Sequence, residues 1–294
     1  MSRFGIFIFL FLPAVVLAQS YSLRFYGTGT GDIDRVKFRI DGATNLLNVG
    51  AGDCTLEFWL KALPHENLGN VSGGGDSWTT GNIIVDRDVF GAGDYGDFGI
   101  ALGGGCIAFG AHNGSAGTTI VGTTVLTNGQ WHHVAVTRTV DGQMAIWIDG
   151  TNDASAAGPA GTIAYRNGRS TSWPNDPYLV LGAEKHDYDV SAYPSFHGWL
   201  DELRISTNNR YSANFTPPSQ EFLPDAVTVG LFHFDEGGGT IVSNAASAAP
   251  LTHGLRRVGG APAGPVYSTD MPPLLPEPWG AGGCILFLLM RKRA

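Results

Sequence analysis

Apolar and polar residues alternate with a period of two along most of this chain. In "DRVKFRID" (34–41) Val36, Phe38 and Ile40 fall on one side and the charges on the other; in "CTLEFWLKA" (54–62) Cys54, Leu56, Phe58 and Leu60 share a side. Successive side chains of a strand point to opposite faces, so such alternation predicts strands with one buried face. "YSLRFYG" (21–27), "NIIVDRDV" (82–89), "DFGIAL" (97–102), "CIAFGAH" (106–112), "TTIVGTTVL" (118–126), "YLVLGAE" (178–184) and "FHGWLDELRISTN" (196–208) continue the series. The spacing is that of a β-sandwich. No helical period is sustained between Gln19 and Asp270, and no repeat marks a solenoid or propeller.

The stretch "NGQWHHVAVTRTVDGQMAIWIDG" (128–150) reads as a hairpin turning at Asp141-Gly142. Alternation puts Trp131, His133, Ala135 and Thr137 on one face and His132, Val134, Val136 and Arg138 on the other. The two adjacent imidazoles therefore diverge and cannot share a metal ion. Trp59, Trp131, Trp147 and Trp199 lie on predicted strands and are expected to pack. The polar run "LPHENLGNVSGGGDSWTTG" (63–81) is long for a loop in a compact domain, as a lid or an insertion would be.

Composition agrees: 42 glycines and only 15% charged residues suit short strands joined by turns. Residues 1–18 carry Arg3, an apolar core and a small-residue site ending at Ala18, the order of a secretory signal. Residues 271–294 hold Pro276-Glu277-Pro278, a short apolar run and Arg291-Lys292-Arg293. That order resembles a PEP-CTERM bacterial sorting tail, although the apolar run is shorter than a membrane span needs. The resemblance implies membrane contact through the tail alone. A formal charge of −8 with no basic stripe argues against nucleic acid as a partner. The exported part holds two cysteines, Cys54 and Cys106, which an oxidising compartment would join; two buried free thiols are the alternative.

Four segments in register, "CTLEFWLKA", "GQWHHVAVTR…GQMAIWIDG", "YLVLGAE" and "GWLDELRIS", resemble a LamG-like jelly roll of the concanavalin A-like lectin/glucanase superfamily, over roughly Tyr21 to Phe222. The resemblance implies an all-β antiparallel sandwich. "TVGLFHFDEGGGTIV" (228–242) resembles a strand with which such domains usually begin. Here it comes late, and it is expected to fold back into one domain spanning 19–270.

Glycosidases on this scaffold place two carboxylates on one face of a strand. Asp201-Glu202 and Asp235-Glu236 are adjacent pairs and diverge, so no such motif is present. Calcium, which takes oxygen ligands from flexible loops, is the better-motivated ion. Asp86, Asp88, Asp94 and Asp97 form one candidate cluster and Glu184, Asp187 and Asp189 another, with Asp201 a second-choice ligand. LamG-like relatives hold calcium at the sandwich rim, as the resemblance implies here. Trp78, Trp173, Tyr188 and Tyr193 fall in loops and are the candidate ring-stacking residues for a sugar. His186 beside Asp187 is a poor dyad, because sequence neighbours rarely orient each other. The expected function is a secreted or cell-surface, non-catalytic recognition module with calcium as cofactor. Its partner would be an extracellular polysaccharide, a glycoconjugate or a surface protein. The alternatives are a polysaccharide hydrolase or lyase on the same scaffold, or a structural matrix component.

Overall fold

The computed structural model describes residues 19–89, 96–166 and 173–274. The leader (1–18), most of the tail (275–294) and Asp94 lie outside the described residues. Among the described residues sixteen strands follow one another: β1 Ser22–Tyr26, β2 Arg35–Arg39, β3 Cys54–Lys61, β4 Asn82–Asp86, β5 Asp97–Gly103, β6 Cys106–His112, β7 Gly117–Val121, β8 Trp131–Arg138, β9 Gln143–Ile148, β10 Thr151–Ala157, β11 Tyr178–Leu181, β12 His197–Ser206, β13 Thr228–Phe232, β14 Ile241–Val242, β15 Gly254–Arg257 and β16 Val266–Ser268. No helix among the described residues is long and apolar enough to cross a membrane.

Two antiparallel sheets result. Sheet A runs β10-β9-β8-β3-β12-β1-β16, and sheet B runs β14-β15-β2-β11-β4-β5-β6-β7. The ten-residue β12 spans sheet A: its first half pairs with β1 and its second half with β13, on the same side. The chain that passes β12 thus returns to it, and β15 and β16 then each close onto an early strand, β2 and β1.

The predicted apolar faces meet between the sheets. Val36, Phe38, Leu56, Phe58, Leu60, Val134 and Val136 join one core with Ile100, Leu179 and Ile205. At about 25 cal/mol per Å² of apolar area removed from water, this contact is the main source of stability. The outer face of sheet A is also covered: Trp59, Phe222, Leu231 and Ala246 form a second cluster there. Trp147 is buried, whereas Trp131 and Trp199 keep part of their surface exposed.

The histidine pair divides as alternation requires. His132 Nδ1 lies 2.7 Å from Asp149. His133 is fully buried on the outer face, with Nε2 3.3 Å from Glu57. Glu57 also accepts from Arg204 Nε at 2.8 Å and Tyr211 Oη at 2.6 Å. Phe215 stacks on Tyr211, so this network fastens the segment after β12 to the sheet. Burial alone would raise the Glu57 pKa, but hydrogen bonds and charge from His133 and Arg204 outweigh it and hold the group at about 2.

The expected Cys54–Cys106 disulfide is corrected: both thiols are free. Cys54 opposite Arg138 opens β3 and feels the charge of Arg87, whose amide bonds Phe98 at the start of β5. Cys106 opposes Gly103 at the far end of β5. Cys54 thus lies on β3 in sheet A and Cys106 on β6 in sheet B, and Phe98 and Gly103 are five residue rises apart along β5, roughly 16 Å at strand rise. Burial pushes the Cys54 thiol up to about 11, leaving it unreactive.

The Glu57 network sets an acid limit on stability. A depressed folded-state pKa contributes stability above the ordinary glutamate value near 4.5, lost as pH falls through about 2. Urea denaturation at pH 7 and pH 3 is expected to show wild type losing stability on acidification. Glu57→Gln should cost about 3–5 kcal/mol at pH 7, because it strands Arg204, and should show a flatter pH dependence. An unchanged acid slope in Glu57→Gln would refute the assignment.

Candidate functional site

The polar groups with chemistry are pushed off the core, and one collection gathers on the outer face of sheet B. β4 ends at Asp86, and the loop after β11 folds beside it: Ile83 N donates to Pro194 O at 2.8 Å, and Ile83 bridges Ser195 in parallel. This brings residues 184–193 over the end of β4. A cavity of about 260 Å³ opens there, walled by Trp173, Tyr188 and Tyr193, with Ile83, Asp86, Asp88, Glu184 and His186 completing it. It lies just below the roughly 300–1,000 Å³ usual for small-ligand pockets.

Most of the carboxylates here are already engaged. Asp86 accepts from the amides of Asp88 and Lys185 at 2.8 and 2.9 Å. Glu184 accepts from the amides of His186 and Tyr188 at 2.7 and 3.0 Å. The His186 ring lies between two acids, Nδ1 3.0 Å from Glu184 and Nε2 2.7 Å from Asp176. Burial would lower the His186 pKa, but those two hydrogen bonds prevail and raise it to about 9. The ring is an imidazolium at neutral pH, with Trp173 edge-on at 5.6 Å. Lys185 is buried and donates to the carbonyls of Asp176 and Tyr178, both at 3.1 Å. Burial, opposed by Lys185 and reinforced by Asp88 and Glu184, raises Asp86 to about 6.

Asp88 differs from its neighbours. Its carboxylate is about 30% exposed, and its one ion-pair contact among the described residues is His186 Nδ1, at 3.6 Å. Asp97 sits behind it with Oδ1 buried and without a hydrogen-bond partner. Burial and the charge of Asp88 raise Asp97 to about 8.

The structure therefore brings Asp86, Asp88, Trp173, Tyr188 and Tyr193 to one cavity and places Asp97 close by. Three other candidates lie elsewhere. Asp187, in a left-handed conformation, is tied to Arg35 and to the amide of Asp32. Asp201 is 5% exposed on β12, across the sandwich in sheet A, beside Glu202 and Asp235. Trp78 is corrected from ligand contact to packing: it is 1% exposed and clusters with Val71, Ile83 and Ala108. Its ring lies on the bare backbone of Gly99 and Gly110 in the β5–β6 ladder. Glu184 and His186 are the residues that sequence reasoning undervalued. His186 ignores its neighbour Asp187 and is held by Glu184 two positions back and by Asp176 from another loop. Among the described residues, no group of three or more His, Cys, Asp or Glu side chains is arranged to hold a metal ion.

The Trp78 contact has a measurable consequence. A Cβ at Gly110 would stand 2.0 Å from Trp78 Cδ1. Gly110→Ala is expected to destabilise the domain by about 1–3 kcal/mol, the usual cost of overpacking, read as a lowered Tm. An unchanged Tm would mean that Trp78 is not seated there.

Comparison with known proteins agrees with this architecture. No curated protein matches the chain by sequence. Among solved structures, a protein of Bacteroides ovatus to which carbohydrate binding is ascribed superposes with a TM-score of 0.51 at 15% identity, over 81% of this chain and 58% of that one. The chain thus spans little more than half of that protein's length. A heptameric SAP-like pentraxin of Limulus polyphemus gives a TM-score of 0.42 at 16% identity, covering 67% of this chain and 80% of the other. Domains LG4-5 of the mouse laminin alpha1 chain give 0.44 at 14%, covering 70% and 48%. Likeness at these identities speaks for the fold alone. The family model for Laminin_G_3 matches residues 34–213, more than half of the sequence, and the chain belongs to the concanavalin A-like lectin/glucanases superfamily.

Proposed function

We propose that this chain is a non-catalytic recognition module, exported to the cell surface, that binds an extracellular glycan in the cavity on sheet B. One observation carries this reading: three aromatic rings and a scarcely engaged carboxylate, Asp88, converge on a single cavity. Aromatic faces suit the apolar faces of a pyranose, and Asp88 can accept from its hydroxyls. The carbohydrate binding ascribed to the Bacteroides ovatus protein is in keeping with this.

The hydrolase alternative finds less support. Two carboxyl groups, one of them protonated, would have to face the same space across the scissile bond. Asp86 and Glu184 spend their oxygens on backbone amides, and the carboxyl held protonated at neutral pH, Asp97, is not part of the cavity wall.

Calcium enters the proposal through Asp88 and Asp97. The donor set fits poorly as it stands: Asp88 is scarcely engaged, but Asp97, held protonated at neutral pH, would have to lose its proton to join it in holding the ion, and among the described residues no third acid or histidine is arranged around them. A bound dication would offset the crowded negative charge and offer coordination to sugar hydroxyls.

Glycan-array screening followed by calorimetry, with 2 mM calcium or with chelator, tests both parts. Trp173→Ala and Tyr193→Ala are expected to weaken the best glycan by about 10-fold each, in line with loss of an aromatic anchor. Asp88→Asn should weaken it too and should abolish any rise in Tm that calcium gives wild type. Binding indifferent to all three substitutions would overturn the cavity assignment. Reducing ends released from the bound polysaccharide would show an enzyme instead.

A further inference from the structure

The outer face of sheet A carries a second arrangement, which the cavity on sheet B does not use. Register places Arg24 opposite Trp199, Trp199 opposite Lys61 and Lys61 opposite Trp131. Cation and indole therefore alternate across four adjacent strands, β1, β12, β3 and β8. At the usual strand spacing the row is roughly 14 Å long. The guanidinium of Arg24 lies 3.5 Å from the Trp199 ring centroid, and Lys61 Nζ lies 5.1 Å from it.

The two halves of the row are in different states. At the Lys61–Trp131 end, the chain supplies a carboxylate of its own. Asp270 lies 2.6 Å from Lys61 Nζ through Oδ2 and accepts from Trp131 Nε1 at 3.0 Å through Oδ1. At the Arg24–Trp199 end, an open groove of about 450 Å³ remains. Tyr26, Val266, Ser268 and Thr269 line it with Arg24 and Trp199, and no carboxylate is among its walls. Arg24 is 8% exposed; Glu66 and His197 reach only its Nη2, at 3.3 and 2.8 Å, and its buried Nη1 has no partner. A planar cation stacked on indole beside hydroxyls, ion-paired to Glu66 through one nitrogen only, suits a carboxylate borne on a ring.

We infer that this face is a second binding platform, for an acidic polysaccharide whose uronate carboxylates sit on the cation–indole row as Asp270 already does. One uronate would take the Arg24–Trp199 groove. The next sugar along the row would compete with Asp270 for Lys61 and Trp131. Lys61, Trp131 and Trp199 lie within the matched family region, whereas Arg24 on β1 and the 266–270 segment lie outside it, so this chain's own extensions complete the platform.

Calorimetry of the full chain with a galacturonate tetramer, its methyl ester and a sulfated oligosaccharide of equal length tests the inference. The free acid is expected to bind about 10-fold or more tightly than the ester, since charge-assisted bonds are lost on esterification. Trp199→Ala and Lys61→Gln should each remove most of that preference, and Asp270→Asn, which frees Lys61, should strengthen acid binding. Lys61→Gln alters a partly exposed side chain and so keeps the test informative if Trp199→Ala does not fold. Asp88→Asn, in the other cavity, should leave galacturonate binding unchanged. Sulfated oligomer bound as tightly as the uronate would support the platform and widen its class to anionic glycans generally. Equal affinity for acid and ester, or indifference to Lys61→Gln and Asp270→Asn in folded protein, would overturn it.

Discussion

The contact between two apolar sheet faces governs everything else in this molecule. Alternation gives each strand one side for the core, and burying a polar group there without a partner is costly. Most side chains with chemistry are therefore displaced to an outer face or a loop, where their neighbours come from distant parts of the sequence; Cys54 and Arg138 are kept on the core side, at the end of the sandwich. Glu57 shows the rule at its strictest. It lies on β3 between core residues Leu56 and Phe58 and points the other way. It remains charged in a buried place only because His133, Arg204 and Tyr211 converge on it from three other segments. The same network fastens residues 208–224 over part of the outer face of sheet A and leaves the β1–β16 side of that face open.

This explains what could be read from the sequence and what could not. The strands were legible because a period of two is local: Val36, Phe38 and Ile40 declare their face without reference to anything else. The divergence of His132 and His133 was legible for the same reason. Pairings that depend on where strands lie in a sheet were not. Cys54 and Cys106 looked like partners in sequence, yet they stand near opposite ends of β5. Trp78 looked like a loop aromatic free to meet a ligand, because nothing in "GGGDSW" reveals that the loop folds back over Gly99 and Gly110. Those two glycines were the available signal: cross-strand neighbours without side chains leave a shallow recess that only a flat ring fills.

The candidate cavity was half legible. Trp173, Tyr188 and Tyr193 were recognisable as loop aromatics near acidic residues, and the fold brings them together because the loop after β11 pairs against β4. The role of His186 was not, since its partners are Glu184 and Asp176 rather than adjacent Asp187. The platform on sheet A was wholly obscure. Its row exists only through the register of four strands, one of them near the N-terminus, and through a closing strand from a Pro- and Gly-rich stretch with no alternation to announce it.

The two outer faces differ in electrostatic character, and the difference follows from how each is built. On sheet B the ends of β4 and β11 present turns, where aspartates are favoured because they satisfy exposed backbone amides. Asp86 and Glu184 serve in that way, and the acidity of the cavity is partly a by-product of turn chemistry. On sheet A the exposed row lies mid-sheet, where backbone amides are already paired and acids have no such role. Long cationic side chains can lie flat there over indoles, burying their stems while keeping charge at the surface. Asp270 answers Lys61 there and Glu57 answers Arg204, whereas Asp201, at the irregularity in β12, lies among other acids and accepts from the amide of Glu202. A protein with net charge −8 thus keeps a cation-bearing row on sheet A, shaped by sheet geometry rather than by overall composition.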